Sequence, residues 1–298
     1  MIEIINLTKK FDTKVALDNI EFSIPEGSVY GLVGSNGSGK STLLRLISGV
    51  YTADGGSVLV DGKNPFNSAE IKAQICYLAD NPHFVHQSNI DEMAKFYKSI
   101  YKSFSNEKFE YLKSVFPLDT KSKISTMSKG MQRQAALMLC LAVKPKYLLL
   151  DEAFDGLDPV MRKVLKTLLT DGAQEGMTTI IASHNLRDLD YLCDRVGLLH
   201  FGKIVFSDDI EVIRNNVHKV QLAFERIADT SVFEALNVIK LERTGSLIQL
   251  VVRGERDEIT TFLKKLNPIF LEFIAPSFEE IFMYELEVKG YDAENIIK

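Results

Sequence analysis

Gly34-Ser35-Asn36-Gly37-Ser38-Gly39-Lys40-Ser41 follows an apolar run, Val29 to Val33, and leads through Thr42 into Leu43, Leu44, Leu46 and Ile47. The spacing of those last four gives one apolar helical face. Strand, glycine loop and helix in this order satisfy G-x-x-x-x-G-K-[ST]. The glycines let successive backbone N–H groups turn inward around a polyphosphate. The following helix points its positive end at that charge. In such a loop Lys40 pairs with the β- and γ-phosphates of a nucleotide, and the Ser41 hydroxyl binds Mg2+. Ser35, Asn36, Gly37, Ser38, Gly39, Lys40, Ser41 and Thr42 are therefore the candidate nucleotide contacts. A chance glycine-rich turn leaves the flanking strand and helix unexplained.

Downstream, Tyr147-Leu148-Leu149-Leu150-Asp151-Glu152 reads as a buried strand ending in two acids. Two acids at a strand end are ordinarily solvated. Beside a phosphate loop they take on roles. Asp151 at the strand tip is placed to hold Mg2+, and Glu152 to accept a proton from attacking water.

Around these motifs the first two-thirds of the chain reads as α/β. Short β-rich runs (2–6, 28–33, 57–60, 75–78, 147–150, 178–182, 195–199) alternate with helical patterns. The runs 147–150 and 178–182 are almost wholly apolar, as strands of a parallel sheet buried on both faces are. Between about 89 and 143 strand signals vanish, and the stretch reads as a helical insertion. After about Ser207 the pattern becomes strand, helix, two strands around Thr244-Gly245, helix, strand, and a final amphipathic helix over 277–287. Asp229 or Thr230 is the expected N-cap of the first of those helices. That order, βαββαβ plus a helix, predicts a ferredoxin-like domain. The expected division is thus 1–206, an ATPase domain, and 207–298, a small α+β accessory domain.

Composition limits the function classes. Of 298 residues, 46% are hydrophobic and 25% charged, the usage of a folded globular chain. The net charge of −5, with acids and bases mixed, argues against a nucleic-acid partner, which selects a basic face. No apolar run approaches the roughly 18–20 residues that cross a bilayer. The first residues lack a basic, apolar leader. Cys76, Cys140 and Cys193 are isolated and read as buried thiols in a reducing compartment. The expectation is a cytoplasmic protein that serves a membrane only by docking on it.

An ordered set of segments over roughly 2–206 resembles the ABC ATPase family. Met127-Ser128-Lys129-Gly130-Met131-Gln132 is similar to its signature segment and stands just upstream of the acidic strand. Gly156-Leu157-Asp158 matches its D-loop, and Ser183-His184 its switch histidine. Phe11 stands where the family stacks an aromatic ring on adenine. The resemblance implies a P-loop NTPase fold, a RecA-like core plus a helical subdomain over about 89–143. It implies that ATP and Mg2+ are the cofactors. Two subunits, alike or different, close head to tail around two ATP molecules. Ser128 and Gly130 of one then cap the γ-phosphate held by the other, with Asp158 at the same junction. Glu152 and His184 are the implied catalytic residues. Ser41, Asp151 and Asp80 are the implied metal contacts, and separately encoded transmembrane permease subunits the implied partners. One position departs from the pattern: Asp80 stands where the family has Gln or Glu. The shorter side chain needs a bridging water to reach a metal. Ser-Lys-Gly-Met in the signature and Pro276-Ser277-Phe278-Glu279-Glu280-Ile281-Phe282 resemble a bacterial exporter branch that moves peptides, antibiotics or lipid-like molecules outward. The alternative is a soluble ABC ATPase acting on ribosomes or DNA. A single phosphate loop, and the lack of sustained heptads between Ser41 and Ser128, weigh against it.

Overall fold

The computed structural model describes residues 1–225 and 230–288. The chain divides into two units, Met1–Ser207 and Asp208–Lys298. The elements of the first run β1 (Ile2–Phe11), β2 (Lys14–Ile24), β3 (Val29–Val33), α1 (Lys40–Ile47), β4 (Gly55–Val60), α2 (Ala69–Lys72), β5 (Ile75–Leu78), α3 (Ile90–Ile100), α4 (Asn106–Val115), α5 (Lys129–Ala142), β6 (Tyr147–Asp151), α6 (Pro159–Gln174), β7 (Thr178–Ser183), α7 (Leu186–Leu189), β8 (Arg195–His200) and β9 (Lys203–Asp209).

A six-stranded sheet of order β5-β6-β7-β3-β8-β9 forms the centre of this unit. Strands β5, β6, β7, β3 and β8 run parallel. The register sets Leu78 opposite Leu150, Asp151 opposite Ala182, and Val33 opposite Ser183. The carboxyl ends of four neighbouring strands therefore meet at one edge, where open α/β sheets bind ligands. Every residue of β3, β6 and β7 is buried; apolar side chains fill most of β3 and β6, whereas β7 also buries Thr178, Thr179 and Ser183. A second, antiparallel sheet of order β2-β1-β4 covers α1 from the other side. Leu43, Leu44, Leu46 and Ile47 of α1 are at most 2% exposed between the two sheets. Burial contributes roughly 2 kcal/mol for each such side chain. The glycine loop thus hangs between a fixed strand and a fixed helix.

Helices α3, α4 and α5 make up the expected helical insertion. Asn89 opens α3 with a capping box: its side chain accepts from the Glu92 N–H at 2.8 Å, and Glu92 accepts from the Asn89 N–H at 3.0 Å. Helix α5 is wholly buried from Gln134 to Ala142. In the turn after β4, Asp61 accepts hydrogen bonds from the Tyr147 hydroxyl (2.6 Å), Lys146 (2.9 Å) and the Met1 amino group (2.9 Å). Burial alone raises its pKa, but these donors outweigh burial and hold the carboxyl well below the usual range.

The second unit runs α8 (Ile210–Asn216), β10 (Val217–Ala223), a short 3₁₀ helix (Thr230–Ala235), β11 (Asn237–Thr244), β12 (Leu247–Arg253), α9 (Arg256–Lys265), β13 (Phe270–Ile274) and α10 (Phe278–Val288). Its sheet is antiparallel with order β11-β12-β10-β13. With βαββαβ connectivity this is the ferredoxin-like arrangement. Val220, Leu222, Leu250 and Val252 form one core face with Phe233, Ile259 and Leu263. Tyr284 of α10 packs on the other face with Val217 and Val251. Of the two expected cap residues, Asp229 lies outside the described residues and Thr230 begins the 3₁₀ helix.

Strands β2 and β9 and helix α8 have no counterpart in the sequence reading. Strand β1 also runs on to Phe11, past the expected end at Asn6. Positive φ at Asn6 (45°) and Asn19 (48°), with register shifts between β1 and β2, break the period-two pattern there. No helix among the described residues is long and apolar enough to cross a membrane.

Candidate active site

The loop between β3 and α1 borders a cavity of about 280 Å3. Asn36, Gly37, Gly39, Lys40, Ser41 and Thr42 line one side. Gly39 has φ of 114°, and a Cβ there would lie 2.6 Å from the Ala16 carbonyl oxygen, so only glycine fits. Gly39 is also the N-cap of α1, with no side-chain cap, and the first turn of α1 holds no acid. The leading N–H groups of α1 thus keep their positive field for an incoming anion. The Ser38 hydroxyl is buried with no hydrogen-bond partner.

Lys40 is 5% exposed and donates to the Gly34 carbonyl at 2.6 Å and the Ser35 carbonyl at 3.3 Å. Its ammonium also lies 3.4 Å from Glu152 Oε1. Glu152 Oε2 lies 2.9 Å from His184 Nδ1 and accepts from the His184 backbone N–H at 3.3 Å. One carboxylate thus bridges the loop cation, on α1, and the histidine that follows β7. Glu152 has φ of 50°, a left-handed backbone that non-glycine residues seldom take. Asp155 adds a second carboxylate, its ligand atom within 4.8 Å of those of Glu152 and His184.

Asp151 ends β6, 1% exposed, with Oδ1 free of any hydrogen-bond partner. Tyr77 donates to its other oxygen at 3.2 Å. Burial pushes its pKa up, against the lowering effect of the Ser41 and Tyr77 hydroxyls. A buried carboxylate oxygen without a donor, beside a serine hydroxyl, has the hard-oxygen chemistry that Mg2+ selects. These residues fit the metal. Asp80 also borders the cavity, but its carboxylate pairs with Arg133 at 2.8 Å instead of turning to Ser41 and Asp151.

Phe11 also lines the cavity, 40% exposed, edge-on to Tyr51 at 5.4 Å. Ser128, Gly130 and Asp158 are not among the lining residues. Ser128 is the exposed N-cap of α5 and accepts from the Met131 N–H at 3.3 Å. Gly130 packs so closely on the Gly156 carbonyl that a Cβ would come within 2.6 Å of the oxygen. Asp158 caps α6 by accepting from the Val160 and Met161 N–H groups. The sequence reading missed Arg133, Asp155 and Tyr77. Arg133 had a signal, a lone cation entering the wholly buried run of α5.

The family model described as "ABC transporter" matches residues 17–155. The uncharacterized ABC transporter ATP-binding protein MJ1023 of Methanocaldococcus jannaschii is 34% identical over 268 residues, 87% of this chain and 97% of that protein. The chain is an ABC transporter ATP-binding protein. Like its family it is an ATP hydrolase. The lantibiotic transport ATP-binding protein SrtF of Streptococcus pyogenes is 29% identical to this ABC protein over 240 residues, 76% of this chain and 99% of SrtF. Among solved structures, a dimeric post-hydrolysis state of the ATP-binding cassette MJ0796 with ADP and Pi shares the fold. Its TM-score is 0.62 at 21% identity, covering 70% of this chain and 98% of that one.

Proposed function

We propose that this ABC protein hydrolyses MgATP in a head-to-tail dimer and drives separately encoded permease subunits that export a peptide, antibiotic or lipid-like molecule. The observation that carries the reading is the Glu152 carboxylate set between Lys40 and His184 at the mouth of the glycine loop. On nucleotide binding, Lys40 exchanges Glu152 for the β- and γ-phosphates, which frees the carboxylate to take a proton from water. His184 keeps that carboxylate oriented and faces the γ-phosphate. Ser41 and Asp151 would hold Mg2+, which neutralises charge on the phosphates. Asp80, paired with Arg133, would meet that ion only through a bridging water. Phe11 offers a ring for the adenine.

Ser128 and Gly130 stand away from the cavity of their own chain, as groups lent to a second subunit would. The dimer of the MJ0796 cassette supports that reading. The N-terminal unit is then the ATPase cassette, with 89–143 the helical subdomain that meets the permease. Residues 207–298 form an accessory domain that acts as a dimer contact or regulator. Export is supported by the transport role in SrtF's name and by the exporter-like tail. The protein then sits on the cytoplasmic face of the membrane through its permease. In proteoliposomes of the cassette with the copurified permease, ATP outside the vesicles should drive substrate inward. ATP-dependent efflux from the vesicles overturns export. Copurification with ribosomes and no membrane protein overturns the transport role.

A further inference from the structure

Arg133 lies on α5, just past the Ser128 cap, with its side chain 11% exposed. Its guanidinium donates to three oxygens: the Glu152 carbonyl, the Asp80 carbonyl and Asp80 Oδ1, the last at 2.8 Å. These acceptors belong to different parts of the cassette. Asp80 lies in the connection from β5 to α3, whereas Glu152 follows β6. The Glu152 N–H donates to the Ala182 carbonyl at 2.9 Å. The catalytic residue is therefore held at its backbone from both sides while its side chain points at Lys40 and His184. A guanidinium is a rigid planar fork with its donors in fixed directions, so displacing one acceptor shifts the other. A lysine in its place offers a point charge on a flexible stem and cannot span both.

We propose that Arg133 is a positioning residue that couples the loop after β5 to the aim of Glu152. With Asp80 on the fork, the Glu152 carbonyl is pinned and its carboxylate faces the cavity. When that loop moves away, the fork loses two of its three acceptors and Glu152 loses its backbone support. Asp80, half exposed, is open to displacement from outside, whereas Arg133 is enclosed. The departure at position 80 thus has a physical use: a short acid makes an ion pair with Arg133 that an amide cannot make. The inference rests on Glu152 acting as the base.

The test uses the full chain, with nucleotide affinity, ATP turnover and hydrogen exchange measured on the same samples. Arg133→Gln should lower kcat by roughly 10- to 100-fold, the worth of charge-assisted hydrogen bonds, and leave nucleotide affinity within about 3-fold. Exchange should rise together in residues 79–87 and 152–156. Asp80→Asn keeps the carbonyl acceptors and should lose less. The double variant should be no slower than Arg133→Gln alone, because the two residues act through one fork. Arg133→Lys should recover part of the lost kcat. The proposal falls if Arg133→Gln turns over at the wild-type rate, or if exchange rises in one segment only. It also falls if the two substitutions add. A parallel loss of affinity, turnover and thermal midpoint with no recovery in Arg133→Lys makes Arg133 merely structural. A wild-type protein that binds ATP without hydrolysing it overturns the role of Glu152, and the exchange comparison then still decides the tether.

Discussion

Helices α1 and α5 both begin at a glycine-bearing turn, and both first turns are free of acids. Helix α3 shows the usual alternative, with Asp91 and Glu92 against its positive end and a capping box closing it. So two helix starts in the cassette are left attractive to an anion, but they are finished differently. The start of α1 is uncapped and enclosed: Lys40 and Ser38 are buried, and Asp151 and Glu152 stand beside it. The start of α5 is capped by Ser128 and open to solvent. Enclosure supplies the low dielectric and the partners that chemistry needs. The open start of α5 has neither on its own chain; in the proposed dimer a second subunit brings the phosphate to it.

The largest expected effect lies at the open start. Ser128→Arg should abolish hydrolysis, because the long side chain blocks approach of a second subunit, and should leave ATP binding by the monomer intact. Equilibrium binding of a fluorescent ATP analogue checks this; simultaneous loss of binding would make Ser128 a structural cap alone. At the enclosed start, Glu152→Gln should slow hydrolysis by on the order of 10²- to 10⁴-fold while ATP stays bound. Size exclusion with ATP should then show a doubled mass, and normal turnover removes Glu152 as the base. Lys40→Ala should weaken ATP affinity by roughly 10- to 100-fold, the worth of a charged hydrogen-bonding group. Unchanged affinity refutes its phosphate contact. The smallest effect is a control on a carboxylate remote from both helix starts. The depressed pKa of Asp61 gives stability that is present above its unfolded value, near 3.8, and lost as pH falls toward the folded one. Asp61→Asn should therefore unfold at lower denaturant near neutral pH, and the gap from wild type should close as pH drops below about 4. A gap of constant size across that range refutes the linkage.

Both helix starts were legible as sequence because their residue types answer to local rules. A glycine loop between an apolar strand and an apolar helical face needs no knowledge of distant contacts. The buried strands β3, β6 and β7 were legible for the same reason, and so was the βαββαβ order of the second unit. Strand β2 was not, since bulges against β1 scatter its buried positions (Leu17, Ile20, Ile24) out of simple alternation. The Arg133 fork was hidden for another reason. It joins residues 53 and 19 positions apart in the chain, and only the register of β5 on β6 brings them within reach of one side chain.

The left-handed backbone at Glu152 has a consequence for how this protein balances fold against work. Such a conformation costs an L-residue on the order of 1 kcal/mol, and glycine escapes that cost. Folding alone would favour glycine at this turn. An acid holds the place instead, so the cassette carries a local weakness at the very bend where the proposed proton acceptor stands.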